Sequence, residues 1–349
     1  MKLNGVEKLV KNSIGIESIG TYIPKERHTA EYISSQSGTP IEILKTKMGL
    51  LSKSVPGPDD HTVAMGVKAA KIAIERAGID PAKDIDLVIW AGEVYAERPM
   101  QTYAIKFQGE IGATKAWAFD VNQRCGTIVV AMMLAKSMMQ TQGYRRVIIG
   151  SGYRNSDLID YSNIRTRFMH DLAASGVAMI LRNDYDQNIV LEGSVISDGQ
   201  FSEDVYVPAG GTVMPITCEA IEKRLTYLDV TDPEGLKQRL DKLSMKNFVA
   251  CVDQSLEKSG FTREDIDYLG LIRMKRSAFE YVANTLGVHP YEQSTYFEEW
   301  GHMGQNDSIV SLEEGLKSGK IKDGDLVVLT AAGIGWSWNA MTIKWGTIK

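Results

Sequence analysis

Hydrophobic and polar positions along the chain fall into short blocks that read alternately as strands and helices. Residues 13–22 (SIGIESIGTY) form an apolar run closed by Pro24 and predict a first strand, and 30–35 and 39–48 predict short helices. Residues 61–77 carry small and apolar side chains on one face and stop at Gly78, which predicts a strong helix. The run 85–92 (IDLVIWAG) predicts a buried strand, 101–109 a helix and 116–121 a strand. Residues 126–139 are apolar on nearly every face, the pattern of a helix inside a core, and 145–152 (RRVIIGSG) predicts a further strand. Residues 153–172 read as a long polar connection, and 175–181 with 189–196 as the two strands of a hairpin.

The second half repeats the first. Residues 74–89 (IERAGIDPAKDIDLVI) and 256–270 (LEKSGFTREDIDYLG) share a helix end, a glycine stop, an acidic turn and a strand; Gly78 to Gly260 is 182 positions and Asp86 to Asp267 is 181. Residues 128–152, a helix then VIIGSG, correspond at the same offset to 309–333, a helix then LVVLTAAG. The expectation is an α/β protein of two βαβαβ-type units with parallel strands, packed face to face around the 126–139 helix and its counterpart at 308–318. The halves divide at 1–185 and 186–349, and the polar stretch 205–246, which has no partner in the first half, reads as an insertion covering a substrate entrance or as a surface excursion.

Composition narrows the function classes. The 349 residues, 44% hydrophobic, supply a large core, and a net charge of −5 with no basic stripe argues against nucleic acid as a partner. No apolar run reaches the roughly 18 residues of a membrane span, and residues 1–12 are polar and lysine-bearing, unlike a signal peptide, so a cytoplasmic protein is expected. Cys125, Cys218 and Cys251 are too few and too scattered for disulfides or a zinc site, and the five histidines form no ligand-spaced cluster, so no metal is expected.

Cys125 lies where the predicted 116–121 strand turns into the apolar helix. At a helix N-terminus, free N–H groups and the dipole favour a thiolate and can hold an oxyanion. From this segment alone a catalytic thiolate and an inert core cysteine fit equally well.

The chain resembles the thiolase superfamily, and within it the β-ketoacyl-ACP synthase III group, over essentially its whole length. The resemblance rests on GTYIP at 20–24, AGI at 77–79, IDLV at 85–88, FDVNQRCG at 119–126, and the closing GIGWSW at 333–338 with MTIKW at 341–345. It implies a duplicated thiolase-like fold, a five-layer α-β-α-β-α sandwich, with Cys125 as the acyl-carrying nucleophile. Two departures stand out. The synthases' histidine position falls on Ile272, and their asparagine position on His302, within a GHMG turn at 301–304 that is more similar to the true thiolases, whose Gly-His histidine deprotonates the cysteine.

The resemblance therefore implies acyl transfer from an acyl-CoA or acyl carrier protein thioester through acyl-Cys125, with His302 as base and backbone at Gly335 completing an oxyanion hole. A Claisen-type condensation, as in fatty acid or polyketide biosynthesis, leads. Thiolase-like cleavage of a β-keto thioester, transfer to a non-carbon acceptor, and a non-catalytic partner subunit stay open. No bound cofactor is implied, since CoA or phosphopantetheine arrives with the substrate. Arg273, Lys275 and Arg276, with Arg165 and Arg167, are candidates to meet its phosphate or an acidic carrier, or are simply a solvated basic face. A homodimer is implied by analogy.

Overall fold

The computed structural model describes residues 13–93 and 95–347; the lysine-bearing stretch 1–12 lies outside the described residues. The first half contributes β1 (Ile14–Tyr22), α1 (Thr62–Ala77), β2 (Leu87–Ala91), α2 (Tyr103–Ile111), β3 (Trp117–Val121), α3 (Thr127–Gln142), β4 (Arg146–Tyr153) and β5 (Ser175–Asn183). The second contributes β6 (Gln187–Ser197), α4 (Pro233–Ser259), β7 (Tyr268–Leu271), α5 (Arg276–Thr285), α6 (Asp307–Lys317), β8 (Leu326–Gly333) and β9 (Ser337–Thr347).

Among the described residues these strands form one nine-stranded array, in the order β7-β8-β9-β6-β1-β5-β4-β2-β3. Its halves correspond strand for strand: β2, β4, β5 and β1 answer β7, β8, β9 and β6. The repeat extends to hydrogen bonds. The Asp86 carboxylate accepts from the Arg145 and Arg146 amides at 2.6 and 3.1 Å, and the Asp267 carboxylate accepts from the Leu326 amide at 2.8 Å. The counterpart of β3 is reduced to one bridge, Leu269 with Ser294.

Two expectations are corrected. The strands are not all parallel: β2–β3, β2–β4 and β7–β8 are, while β4–β5, β5–β1, β8–β9 and β9–β6 are antiparallel. A parallel neighbour needs a crossover helix, and the chain from β4 to β5 has none; it reverses at the sheet end through short 3-10 turns at Asn155–Leu158 and Ile164–Met169. Nor do 175–181 and 189–196 pair as a hairpin. β1 lies between β5 and β6, joined to β6 among the described residues at Gly15 with Ile189, so the two strands that looked like partners belong to different halves. The helix expected over 39–48 includes one wide turn at Ile43–Lys47.

Three apolar clusters separate the layers. One packs α1 and α2 on the outer face of the first half, through Ala69, Ala73, Phe107 and Ile148. The second surrounds α3 and α6 between the half-sheets, through Ile128, Met132, Ile309 and Leu312. The third packs α4 and α5 on the outer face of the second half, through Phe248, Val252, Phe279 and Val328. The result is the five-layer α-β-α-β-α sandwich. Both central helices begin at the same end of the molecule, the end at which β2, β3 and β4 finish, where open α/β sheets place their ligands.

Candidate active site

Cys125 occupies a 3-10 turn (Arg124–Gly126) between β3 and α3, and its side chain is 5% exposed. The turn is tight: Arg124 takes a left-handed φ of 51°, a conformation that a side chain disfavours and that clusters at functional sites. Thr127 Oγ donates to the Arg124 carbonyl at 2.5 Å and accepts from the Gln123 amide at 2.8 Å, and Asn339 donates to the Gly126 carbonyl at 3.0 Å. Strand β9 thus grips the loop from below.

His302 approaches from the equivalent loop of the second half, just before α6. Gly301 precedes it with φ 73°, and a Cβ there would meet the Asp171 carbonyl at 2.5 Å, so only glycine fits. Reciprocal backbone bonds, His302 N–H to the Asp171 carbonyl and Ala173 N–H to the His302 carbonyl, both 2.8 Å, fix the loop. The ring Nδ1 lies 2.7 Å from Asp307 Oδ2. The Asp307 carboxyl is fully buried and also accepts from the Met303 and Arg273 amides, both at 2.9 Å. With Nδ1 committed to Asp307, Nε2 is the nitrogen left for the sulfur; His302 and Cys125 line the same cavity, close enough for each to shift the other's proton affinity.

Burial opposes charge on His302, yet the Asp307 carboxylate, its hydrogen bond and the cysteine outweigh it and hold the imidazole well above its ordinary value. Burial pushes the Cys125 thiol up, the neighbouring Glu93 carboxylate pushes it further, and His302 beside it pulls it back. A proton passing from sulfur to imidazole would leave an ion pair stabilised from the histidine side.

Glu93, buried just beyond the C-terminal end of β2, is a residue that sequence reasoning missed. Its Oε1 accepts from the Cys125 thiol at 3.7 Å, and its Oε2 accepts from Asn155 at 2.6 Å. Asp307 was missed as well. The signals were present: an acidic residue immediately after a buried strand, and an aspartate five positions beyond the histidine at a helix start.

These groups face a cavity of about 950 Å³. Its apolar lining includes Phe168, Leu240, Met245, Met274 and Trp336, and Ile272, where the synthases' histidine was expected, is part of that wall. The first half of α4 forms one side, so the chain expected to be an insertion over 205–246 contributes lining residues from Pro233 to Met245. Gly333 packs against the cysteine turn, where a Cβ would lie 3.0 Å from the Cys125 amide, and Ile334 and Trp336 line the cavity on either side of Gly335.

The structure corrects the basic cluster. Arg273 is buried, paired with Asp171 and bonded to the Phe297, Met48 and Gly49 carbonyls, so its guanidinium is occupied within the protein. Arg276 is paired with Glu298 and stacks over Tyr296. Lys275 is exposed and lines the cavity, together with Arg165 and Arg167 and with Lys237, which was not singled out. His170 is buried against Tyr161, and burial pulls it down to about 4. Among the described residues no cluster of His, Cys, Asp and Glu is placed to hold a metal, and no helix is long and apolar enough to cross a membrane.

The sequence profile of 3-oxoacyl-[acyl-carrier-protein] synthase III matches residues 119–199, and that of its C-terminal region matches 256–345. The chain is 26% identical over 333 residues to β-ketoacyl-[acyl-carrier-protein] synthase III of Symbiobacterium thermophilum, covering 95% of this chain and 98% of the relative. It is 27% identical over 336 residues to that of Caldanaerobacter subterraneus, covering 96% and 98%. The structure superimposes on 3-oxoacyl-[acyl-carrier-protein] synthase III from Aquifex aeolicus with a TM-score of 0.82 at 21% identity, covering 95% and 100% of the chains. The chain is a synthase III-like member of the thiolase superfamily. The first profile spans Cys125 and the second spans His302 and Asp307, so the synthase III-like framework carries both loops that meet at the sulfur.

Proposed function

We propose that this protein is an acyltransferase that takes an acyl group from a CoA or acyl carrier protein thioester onto Cys125 and passes it to a carbon nucleophile in a Claisen-type condensation. The observation that carries this reading is the Cys125, His302, Asp307 relay at the floor of a largely apolar cavity. His302 Nε2 takes the thiol proton, the sulfur attacks the thioester carbonyl, and the imidazolium returns the proton to the departing thiol. The backbone N–H of Cys125 and backbone at Gly335 are assigned to the oxyanion, at the mouth of α3. The apolar wall takes the acyl chain, and Arg167, Lys237 and Lys275 on the solvent-facing rim meet the phosphate of the pantetheine arm or an acidic carrier. The chemistry needs no resident cofactor, because the activated acyl group arrives as a thioester.

Acyl transfer to a non-carbon acceptor is a second reading. It is favoured by the carboxylate-buttressed histidine, an arrangement shared with cysteine acyl-transfer enzymes generally, and by Ile272, which removes a donor for an enolate oxygen. The intact relay disfavours a non-catalytic partner subunit. We place the protein in the cytoplasm as a homodimer.

Intact mass measurement after incubation with acetyl-CoA or longer acyl-CoAs tests the reading. A covalent acyl adduct is expected on the wild type and not on Cys125→Ala, and its absence with every chain length would overturn the proposal. Supplying malonyl-CoA, then acetoacetyl-CoA plus CoA, separates condensation from cleavage by which is consumed.

A further inference from the structure

Tyr153, the last residue of β4, carries a hydroxyl that the fold does not use. The side chain is 2% exposed and lines the catalytic cavity along with Cys125, Glu93 and His302. Its phenol oxygen has no hydrogen-bond partner among the described residues. Tyrosines enclosed elsewhere in the chain are bonded: Tyr268 donates to the Ser311 carbonyl at 2.8 Å, and Tyr296 reaches the Met48 and Met274 carbonyls at 2.8 and 2.9 Å. A buried hydroxyl is costly to leave unpaired, and in a cavity wall its partner is supplied by what enters.

The histidine turn makes room for this ring. Gly304, two residues beyond His302, lies against it with φ 61°, and a Cβ there would come within 2.2 Å of the ring. The Tyr153 and His302 ring centroids are 6.3 Å apart. Burial raises the phenol well above its ordinary value and the nearby Cys125, Glu93 and Asp307 charges raise it further, so the hydroxyl keeps its proton and serves as a donor. Neighbouring donors are already committed: the Asn155 amide to Glu93, the Arg273 guanidinium to Asp171, and His302 Nδ1 to Asp307. Ile272 is apolar and offers none from the second half, so the first half supplies one.

Resting on the acyl-cysteine reading above, we infer that Tyr153 is a catalytic residue of the second half-reaction, whose hydroxyl binds the carbonyl oxygen of the incoming carbon nucleophile's thioester and steadies it as an enolate. Freeing the α-carbon, by loss of a proton or of carbon dioxide, sends an electron pair onto that oxygen. The hydrogen bond from Tyr153 strengthens as this charge grows. The pair then returns, the α-carbon bonds to the acyl carbon, and the C–S bond breaks with its electrons leaving on sulfur. The Cys125 thiolate takes up the α-proton where one was lost, or a solvent proton where carbon dioxide left. Tyr153 forms no covalent bond and keeps its own proton throughout.

The test is Tyr153→Phe, which keeps the ring on Gly304 and removes the hydroxyl alone. Intact mass measurement should show Cys125 acylated by acetyl-CoA at close to the wild-type rate. Malonyl-CoA or excess acetyl-CoA added to that adduct should then yield acetoacetyl-CoA about 10²- to 10³-fold more slowly than in wild type, with the loss in kcat more than in KM. The urea midpoint should stay at the wild-type value or rise, because the hydroxyl has no partner to lose. An equal fall in acylation and condensation, unchanged condensation, or a lowered urea midpoint accompanying the slower condensation would each overturn the inference while leaving acyl-Cys125 intact. A wild type that is acylated but consumes neither thioester would overturn the carbon-nucleophile reading and this inference together. Absence of an adduct on the wild type would remove the acyl-cysteine reading as well.

Discussion

His302 depends for its chemistry on one carboxylate. Because Asp307 lifts its folded pKa well above the unfolded value, the protonated imidazole adds to stability. That contribution is complete below the unfolded value of about 6.5 and is lost as pH rises through the folded one. Asp307→Asn should therefore lose more stability relative to wild type at pH 6 than at pH 9, measured by urea unfolding, and should slow acylation of Cys125 by about 10²-fold or more. An equal stability gap at both pH values would mean that the two residues are not linked through the proton. At this scale Cys125 and His302 were singled out through the family resemblance, since the helix-mouth cysteine alone fitted an inert residue equally well, and the fold sets both on one cavity. Glu93 was not: what makes it significant is the pairing of β2 beside β3, which sets Ala91 level with Val121 and so brings the residues just beyond each strand to one point. The buried Arg273 shows the same limit in reverse. In sequence it belongs to a basic triplet, and only the fold reveals that Asp171 and three carbonyls surround it.

Among elements, the duplicated helix, glycine and strand blocks could be read from a fixed offset, because local periodicity and stop signals need no knowledge of the partner. Strand order could not. β5 and β6 are separated by three residues and looked like a hairpin, but β5 is apolar on both faces over most of its length and β6 through residues 189–191, and such strands accept a neighbour on either edge. β1 supplies that neighbour. Helix α4 was the other element whose role came from packing: its outer half, polar in sequence, turns Leu236, Leu240 and Met245 toward the cavity. This face should limit the acyl chain. Leu240 is a half-buried lining residue, so Leu240→Trp can fill cavity volume with a modest cost to folding. KM is expected to rise steeply for longer acyl-CoAs and to change little for acetyl-CoA. A uniform rise across chain lengths would show that the acyl group lies elsewhere.

For the whole molecule, the array of strands ends at β3, whose outer edge pairs with no other strand among the described residues. Edges left bare in this way are normally short, charged or covered, because free N–H and C=O groups invite another strand. β3 (WAFDV) is short, but its sequence is largely apolar, Trp117 is 53% exposed, and its ring rests on Phe119 at 4.9 Å. Ile105, at 57% exposure on the neighbouring α2, adds to the same side of the molecule. An exposed apolar edge beside an apolar helix is the chemistry of a self-complementary interface, and a second copy turned through a two-fold would pair β3 antiparallel with itself. Sedimentation should give twice the chain mass for the wild type. Trp117→Glu places two carboxylates near the axis of that interface and should shift the protein toward the monomer, with unfolding of the isolated chain little changed, since an exposed side chain contributes little to its own core. The catalytic loops lie at the C-terminal ends of β2 and β3, so loosening this edge should also reach the sulfur: acylation of Cys125 is expected to slow in step with the monomer fraction. A wild type that sediments as a single chain, or a Trp117→Glu variant that keeps the doubled mass, would place the contact on another face.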